Sequence, residues 1–220
     1  MKLSLSKKIT IQKTKINDND VIYVIDNFLS EPDDIVSFAC ETAYFNPPGK
    51  DGTLYPGIRD LMPRPYEACL QELLNELFES ETYIHRCMLS LITIPDEEIN
   101  EFQSLPHVDS LEDCQYASVH YLCDSQYGGT SIYKHIPSGD IKITPKNVQL
   151  MQDALNNNKQ RGYLTNNNDL FESVFSVEAK FNRIVIYPSN LLHCADINKA
   201  KSISANPKRG RLTVASFFEI

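Results

Sequence analysis

Apolar residues recur along this chain in two periods, helical in most of the first 82 residues and strand-like in much of the rest. Val21-Ile22-Tyr23-Val24-Ile25-Asp26 is a β-branched run of strand type, ended by Asp26-Asn27. A helix is predicted to follow. Ser30-Glu31-Pro32-Asp33 offers a capping serine, a carboxylate three residues on and a proline in the first turn, and Ile35, Phe38 and Ala39 give an apolar stripe. From Pro65 to about Ser80, the spacing of Cys69, Leu70, Leu73, Leu74, Leu77 and Phe78 predicts a second helix with one buried face. Between the helices, Pro47-Pro48-Gly49-Lys50-Asp51-Gly52 reads as a loop. Tyr55-Pro56-Gly57-Ile58-Arg59 reads as a turn with an arginine just beyond it, a solvated charge by default and a substrate or structural clamp as the alternative.

Strands dominate after that. Tyr83 to Ile94 is a long one stopped by Pro95, Tyr116 to Cys123 another, and Gly128-Gly129 a turn feeding Thr130-Ser131-Ile132-Tyr133. Thr144-Pro145 opens a predicted helix to about Asn158, and the tracts Asn156 to Asn158 and Asn166 to Asn168 bracket a polar excursion, a lid or a tolerated surface insertion. Asn182 to Pro188 is a strand, Ser189 to His193 brings the chain back, and Arg211 to Phe218 is the last strand. The pattern implies an α+β fold, with helices on one side of an antiparallel sandwich or small barrel.

Composition narrows the function. At 220 residues and 42% hydrophobic content the chain can form a sizeable core, read here as one domain. A formal net charge of -8 argues against a general nucleic-acid binder, which needs a basic face. Neither a signal-peptide core after the basic start nor a run able to span a bilayer is seen, so a cytoplasmic protein without a membrane partner is expected. The six cysteines are scattered with no C-x-x-C pair, and most are expected to be small buried hydrophobes.

Candidate chemistry centres on Pro106-His107-Val108-Asp109. Two side chains two residues apart on extended backbone point the same way, so His107 and Asp109 could grip one metal ion. A facial triad of two histidines and one carboxylate binds Fe(II) and leaves positions open for cosubstrate and dioxygen. His193, just after a strand stopped by Pro188, is suited to be the third ligand, whereas His85 and His135 have no such placement. If a 2-oxo acid chelates that metal, its far carboxylate needs a buried cation. Arg211 and Thr213 alternate onto one face of the closing strand and would serve, with Arg209 and Arg183 as rivals.

Together, His107-x-Asp109, Tyr121-Leu122 followed by Gly128-Gly129-Thr130, His193 and Arg211-x-Thr213 resemble the Fe(II)/2-oxoglutarate-dependent oxygenase superfamily, over about Ile84 to Phe218. Val24-Ile25-Asp26-Asn27-Phe28-Leu29, Tyr55 to Arg59 and Phe181-Asn182-Arg183 are similar to a bacterial, prolyl-hydroxylase-like branch of it. The resemblance implies a double-stranded β-helix (jelly roll) with N-terminal helices packed on one side. Residues 1–82 would be an N-terminal strand and supporting helices, and residues 83–220 the β-helix core with an insertion at about 135–180. It implies iron on His107, Asp109 and His193, with Arg211 and Thr213 on the distal carboxylate of 2-oxoglutarate. His120 stands where relatives often carry a polar cosubstrate contact; a hydrogen-bonded core histidine is the equal alternative. Asp109 fills the position that is a small residue in the related halogenases. The implied reaction therefore uses dioxygen to hydroxylate a small-molecule or peptide substrate, releasing succinate and CO2. A non-catalytic cupin-like regulatory or scaffold module, and a cupin-like metalloenzyme without a 2-oxo acid, are the alternatives.

Overall fold

The computed structural model describes residues 1–165 and 167–220; Asn166, in the second asparagine tract, lies outside the described residues. Its strands are β1 (Thr10–Lys15), β2 (Val21–Asp26), β3 (Gly57–Leu61), β4 (Tyr83–Ile92), β5 (Gln115–Tyr121), β6 (Gly128–His135), β7 (Phe171–Glu178), β8 (Arg183–Pro188), β9 (His193–Ile197) and β10 (Leu212–Glu219). The helices are α1 (Asp33–Glu41), α2 (Arg64–Leu77) and α3 (Gln149–Asn157). A seven-stranded sheet ordered β1-β2-β8-β5-β10-β4-β3 faces a three-stranded sheet ordered β7-β6-β9. Every strand pairing is antiparallel, and the architecture is the jelly roll with helices on one side.

The two faces of the large sheet carry different cores because side chains alternate along each strand. Outward, Cys87, Leu89 and Leu91 of β4 and Leu212, Val214 and Phe218 of β10 pack under α1 and α2, whose Ile35, Tyr66, Leu70, Leu73 and Leu74 are buried. Each fully buried leucine there stabilises by roughly 1.5–3 kcal/mol relative to exposure. Inward, Ile22, Val24, Ala117, Tyr121, Val185 and Tyr187 meet Ile132 and Val177 of the small sheet. The inward face also reaches the cavity described below. Among the described residues, no helix is long and apolar enough to cross a membrane. No disulfide forms among them either: Cys69, Cys87, Cys123 and Cys194 are buried as expected, and Cys40 and Cys114 are exposed.

Several expectations need correction. The α1 helix has no side-chain cap; Ser30 instead donates its hydroxyl to the Leu5 carbonyl at 3.0 Å, tying down the N-terminal segment. The segment after Pro56 is not a turn but β3, paired with β4 from Gly57↔Ile92 to Leu61↔Met88. Gly128 and Gly129 lie inside β6, which reaches farther than Tyr133. The α3 helix starts at Gln149, because Asn147 folds back on Thr144 in a separate turn. Part of the supposed insertion, Phe171–Glu178, is a strand of the small sheet, leaving residues 136–170 as the excursion between β6 and β7.

Candidate metal centre

His193 opens β9, and the chain around His107 lies antiparallel to it. The His107 N–H donates to the His193 carbonyl at 2.9 Å, the reverse bond is also 2.9 Å, and the Asp109 N–H donates to the Ser189 carbonyl at 2.9 Å. These backbone bonds place both side chains of the H-x-D segment beside His193. One ligand atom from each of His107, Asp109 and His193 lies within 4.8 Å of the others, the only such group among the described residues. The imidazole rings are 4.5 Å apart, and Asp109 Oδ2 is 3.3 Å from His193 Nε2.

The tautomer of His193 follows from its neighbour. Nδ1 lies 2.9 Å from the Leu191 carbonyl, which only accepts, so Nδ1 carries a hydrogen and Nε2 is the atom that faces Asp109 and can ligate once deprotonated. Desolvation, then the nearby His193, push the His107 imidazole down to about 4, which keeps it neutral and able to ligate. Burial raises Asp109, but the two histidines outweigh this and hold it below the usual carboxylate range. Desolvation lowers His193 and the Asp109 carboxylate more than reverses that, leaving it raised. Two imidazole nitrogens and one carboxylate, preset by backbone bonds, fit a divalent transition metal, whose binding would displace the proton that Asp109 favours on His193.

The trio lies in a cavity of about 350 Å³ that also holds Arg211, Thr213, Tyr55 and Arg59. Arg211 is 2% exposed; its Nη2 donates to the Gly129 carbonyl at 2.7 Å, its guanidinium rests 5.6 Å from the Tyr121 ring, and its Nε is buried with no partner. The buried Tyr55 hydroxyl lies against Thr213 but forms no well-aligned hydrogen bond. A buried cation and two hydroxyls with unmet hydrogen-bonding capacity fit a carboxylate. A larger, more open groove of about 890 Å³ beside α3 lies apart from this cavity.

Other candidates fall elsewhere. His120 does not reach the cavity: it lies on the outward face of β5, stacked 5.9 Å from Tyr66 and edge-on to Phe28 at 5.1 Å, with Nε2 3.3 Å from Asn182 Oδ1. Alternation puts it with Ser118, opposite Val119 and Tyr121, and that face belongs to the helices. It is a core histidine rather than a cosubstrate contact. Arg183 pairs with Asp26 at 2.6 Å, and Arg209 is exposed. His85 sits 3.7 Å from Glu219 and His135 3.0 Å from the Ser138 hydroxyl, both away from the trio. Arg59 is not a solvated charge. It is 8% exposed, donates Nε to Ser90 at 3.1 Å and Nη1 to Asp51 at 3.2 Å, and stacks 4.0 Å from the Tyr55 ring. Tyr55 and Tyr187, whose ring lies 4.8 Å from that of His193, were not singled out as site residues by sequence. Tyr55 sits four residues before Arg59, the one local hint, and nothing in the apolar run of β8 marks Tyr187.

A family model described as a family of unknown function (DUF6445) matches residues 7–218. No curated protein matches the sequence. Among solved structures, the chain is similar to HygX from Streptomyces hygroscopicus, with nickel and 2-oxoglutarate bound, at 14% identity and a TM-score of 0.52, covering 90% of this chain and 82% of that one. It is also similar to EvdMO1, at 14% identity and a TM-score of 0.38, covering 69% of this chain and 30% of that one. AviO1 from Streptomyces viridochromogenes Tue57 matches at 14% identity and a TM-score of 0.43, with 84% and 79% covered. The likeness to HygX shows a shared fold.

Proposed function

The chain belongs to the DUF6445 family, a family of unknown function, and from that premise we propose that it is a non-haem iron dioxygenase that consumes 2-oxoglutarate. The observation that carries the reading is the convergence of His107, Asp109 and His193 in one cavity with a buried, partly unpartnered Arg211. HygX, which shares the fold, holds nickel and 2-oxoglutarate, and that pairing supports the same two occupants here. Fe(II) held by the trio would supply the oxidation chemistry, coupling dioxygen and the decarboxylation of 2-oxoglutarate to succinate and CO2 with hydroxylation of a small-molecule or peptide substrate.

The residues themselves do the holding and aiming. The Leu191 carbonyl keeps His193 Nε2 pointed inward, and the Tyr187 ring limits how that imidazole can tilt. Arg211, anchored on the Gly129 carbonyl, offers its remaining donors to a carboxylate, with Thr213 and Tyr55 adding hydroxyls. Apolar side chains of Val119, Ala215 and Phe217 form part of the cavity wall and lower the local dielectric around these contacts.

The test is uncoupled turnover. Purified protein with Fe(II), ascorbate and 2-oxoglutarate should form succinate slowly without any substrate, and should develop a visible charge-transfer band anaerobically. If neither appears with metal bound, the enzyme reading fails.

A further inference from the structure

Three arginines line the cavity, and only one is left without a partner for its charge. Arg59 is paired with Asp51 at 3.2 Å. Arg211, on the proposed reading, meets the distal carboxylate of 2-oxoglutarate. Arg86 has no ion-pair or hydrogen-bond partner among the described residues; its guanidinium rests 4.7 Å from the centre of the Phe217 ring. Glu219, on the same strand as Phe217 and two residues beyond it, is occupied by Gln115 at 2.8 Å and approached by His85 at 3.7 Å.

Register puts Arg86 level with the metal ligands rather than with the cosubstrate end. Arg86 pairs with Phe217, Phe217 with Ala117, and Ala117 with Tyr187, whose ring abuts His193. Thr213, by contrast, pairs with Ser90 and Tyr121, four residues along the strand from Phe217. Three strand spacings separate the backbones of Arg86 and Tyr187, about 14 Å in all, a gap that an arginine side chain and a small molecule can fill together. The lining near Arg86 is apolar, from Phe217, Ala215 and Val119, and the exposed Leu54 and Phe102 stand on loops joined by a bond from Gln103 Nε2 to the Leu54 carbonyl at 2.9 Å.

We propose that Arg86 is the specificity-determining residue for the primary substrate, and that this substrate is a small molecule with an apolar body and an anionic head group, carboxylate or phosphate. The word substrate rests on the oxygenase reading; the anion site rests on Arg86 alone. Binding is measured calorimetrically on protein loaded with Ni(II) and saturated with 2-oxoglutarate, so that Arg211 is already engaged. The probes are 4-phenylbutyrate against its neutral amide, and benzyl phosphate against benzyl alcohol. At least one anion should bind about tenfold more tightly than its neutral partner, and the pair showing the larger preference identifies the head group. Arg86→Gln should remove the preference, and Arg86→Lys should retain part of it, with 2-oxoglutarate affinity unchanged in both. Equal binding within both pairs, no binding of either anion at millimolar concentration, or a preference that survives Arg86→Gln overturns the proposal. Failure of 2-oxoglutarate to bind, with an Arg86-dependent preference intact, sinks the oxygenase reading instead.

Discussion

Single residues set this site, and each can be removed without dismantling the sheets. Replacing His107 or His193 by alanine should weaken metal binding by more than the roughly 10- to 100-fold that loss of an outer-shell partner costs. Metal content after dialysis checks this, with circular dichroism unchanged. Tyr55→Phe is the sharper experiment, because the hydroxyl it deletes is buried and unpartnered in the protein alone. A hydrogen bond to a charged group contributes about 1.5–3 kcal/mol, so the dissociation constant for 2-oxoglutarate should rise roughly 10- to 150-fold. Metal affinity should not change, and the melting temperature should stay level or rise, since an orphaned polar group is lost. An unaltered 2-oxoglutarate affinity would remove Tyr55 from the cosubstrate site. The trio and Arg211, which the structure brings into one cavity, could be named in sequence only because strand alternation and the family resemblance pointed to the same residues. Tyr55 could not be, because its place depends on β3 pairing with β4 across the intervening chain that carries α2.

At the scale of elements, legibility followed burial. The runs that became α2, β4, β8 and β10 are rich in apolar residues and were readable from period alone. By contrast β1, Thr-Ile-Gln-Lys-Thr-Lys, is nearly all exposed, and β7 alternates in burial but breaks the apolar–polar order of its sequence at Ser173 and Val174, so it looked like part of a loop. Both are edge strands, fixed by their partners rather than by their own side chains. The glycine pair was misplaced for a related reason. Gly128 has φ of 106° and its missing Cβ would lie 1.8 Å from the Asp196 carbonyl oxygen, so it serves close approach of β6 to β9. Gly128→Ala should therefore lower the free energy of unfolding in urea by more than the roughly 1–3 kcal/mol of a strained backbone conformation. It should also weaken metal binding, since β9 carries His193. Gly139→Ala is the control: its φ is 78° but nothing lies within 4 Å, so it should cost only the backbone strain and leave the metal site alone. Equal losses in the two variants would show that β6–β9 contact is not what Gly128 protects.

For the molecule as a whole, the large sheet divides the protein into a helix-covered side and a cavity side, and His120 shows how a residue is assigned between them. Alternation says that Ser118 and His120 share a face; only the position of α1 and α2 says which face that is. Asn182 ties this side together. Its side chain accepts from the Leu29 N–H at 3.0 Å and donates to the Leu29 carbonyl at 2.8 Å, so its oxygen is also an acceptor for His120 Nε2–H. His120 is thus held neutral, with Nδ1 buried and unpartnered, and burial pushes its pKa from 6.5 down to about 3. The folded-state value is depressed, so in acid the unfolded chain binds the proton first. The contribution to stability is whole above pH 6.5 and is lost as pH falls from about 6.5 towards 3, at about 1.4 kcal/mol per pH unit within that window. Urea unfolding of metal-free protein at pH 7.5 and 5.5 should show this as a loss of about 1 kcal/mol in the native protein that is absent in His120→Phe. Other titrating groups, His107 and His193 among them, are common to both proteins and cancel in the comparison. An identical pH dependence in the two would mean that His120 can take up its proton within the folded core, and that the helices do not seal the outward face of the sheet.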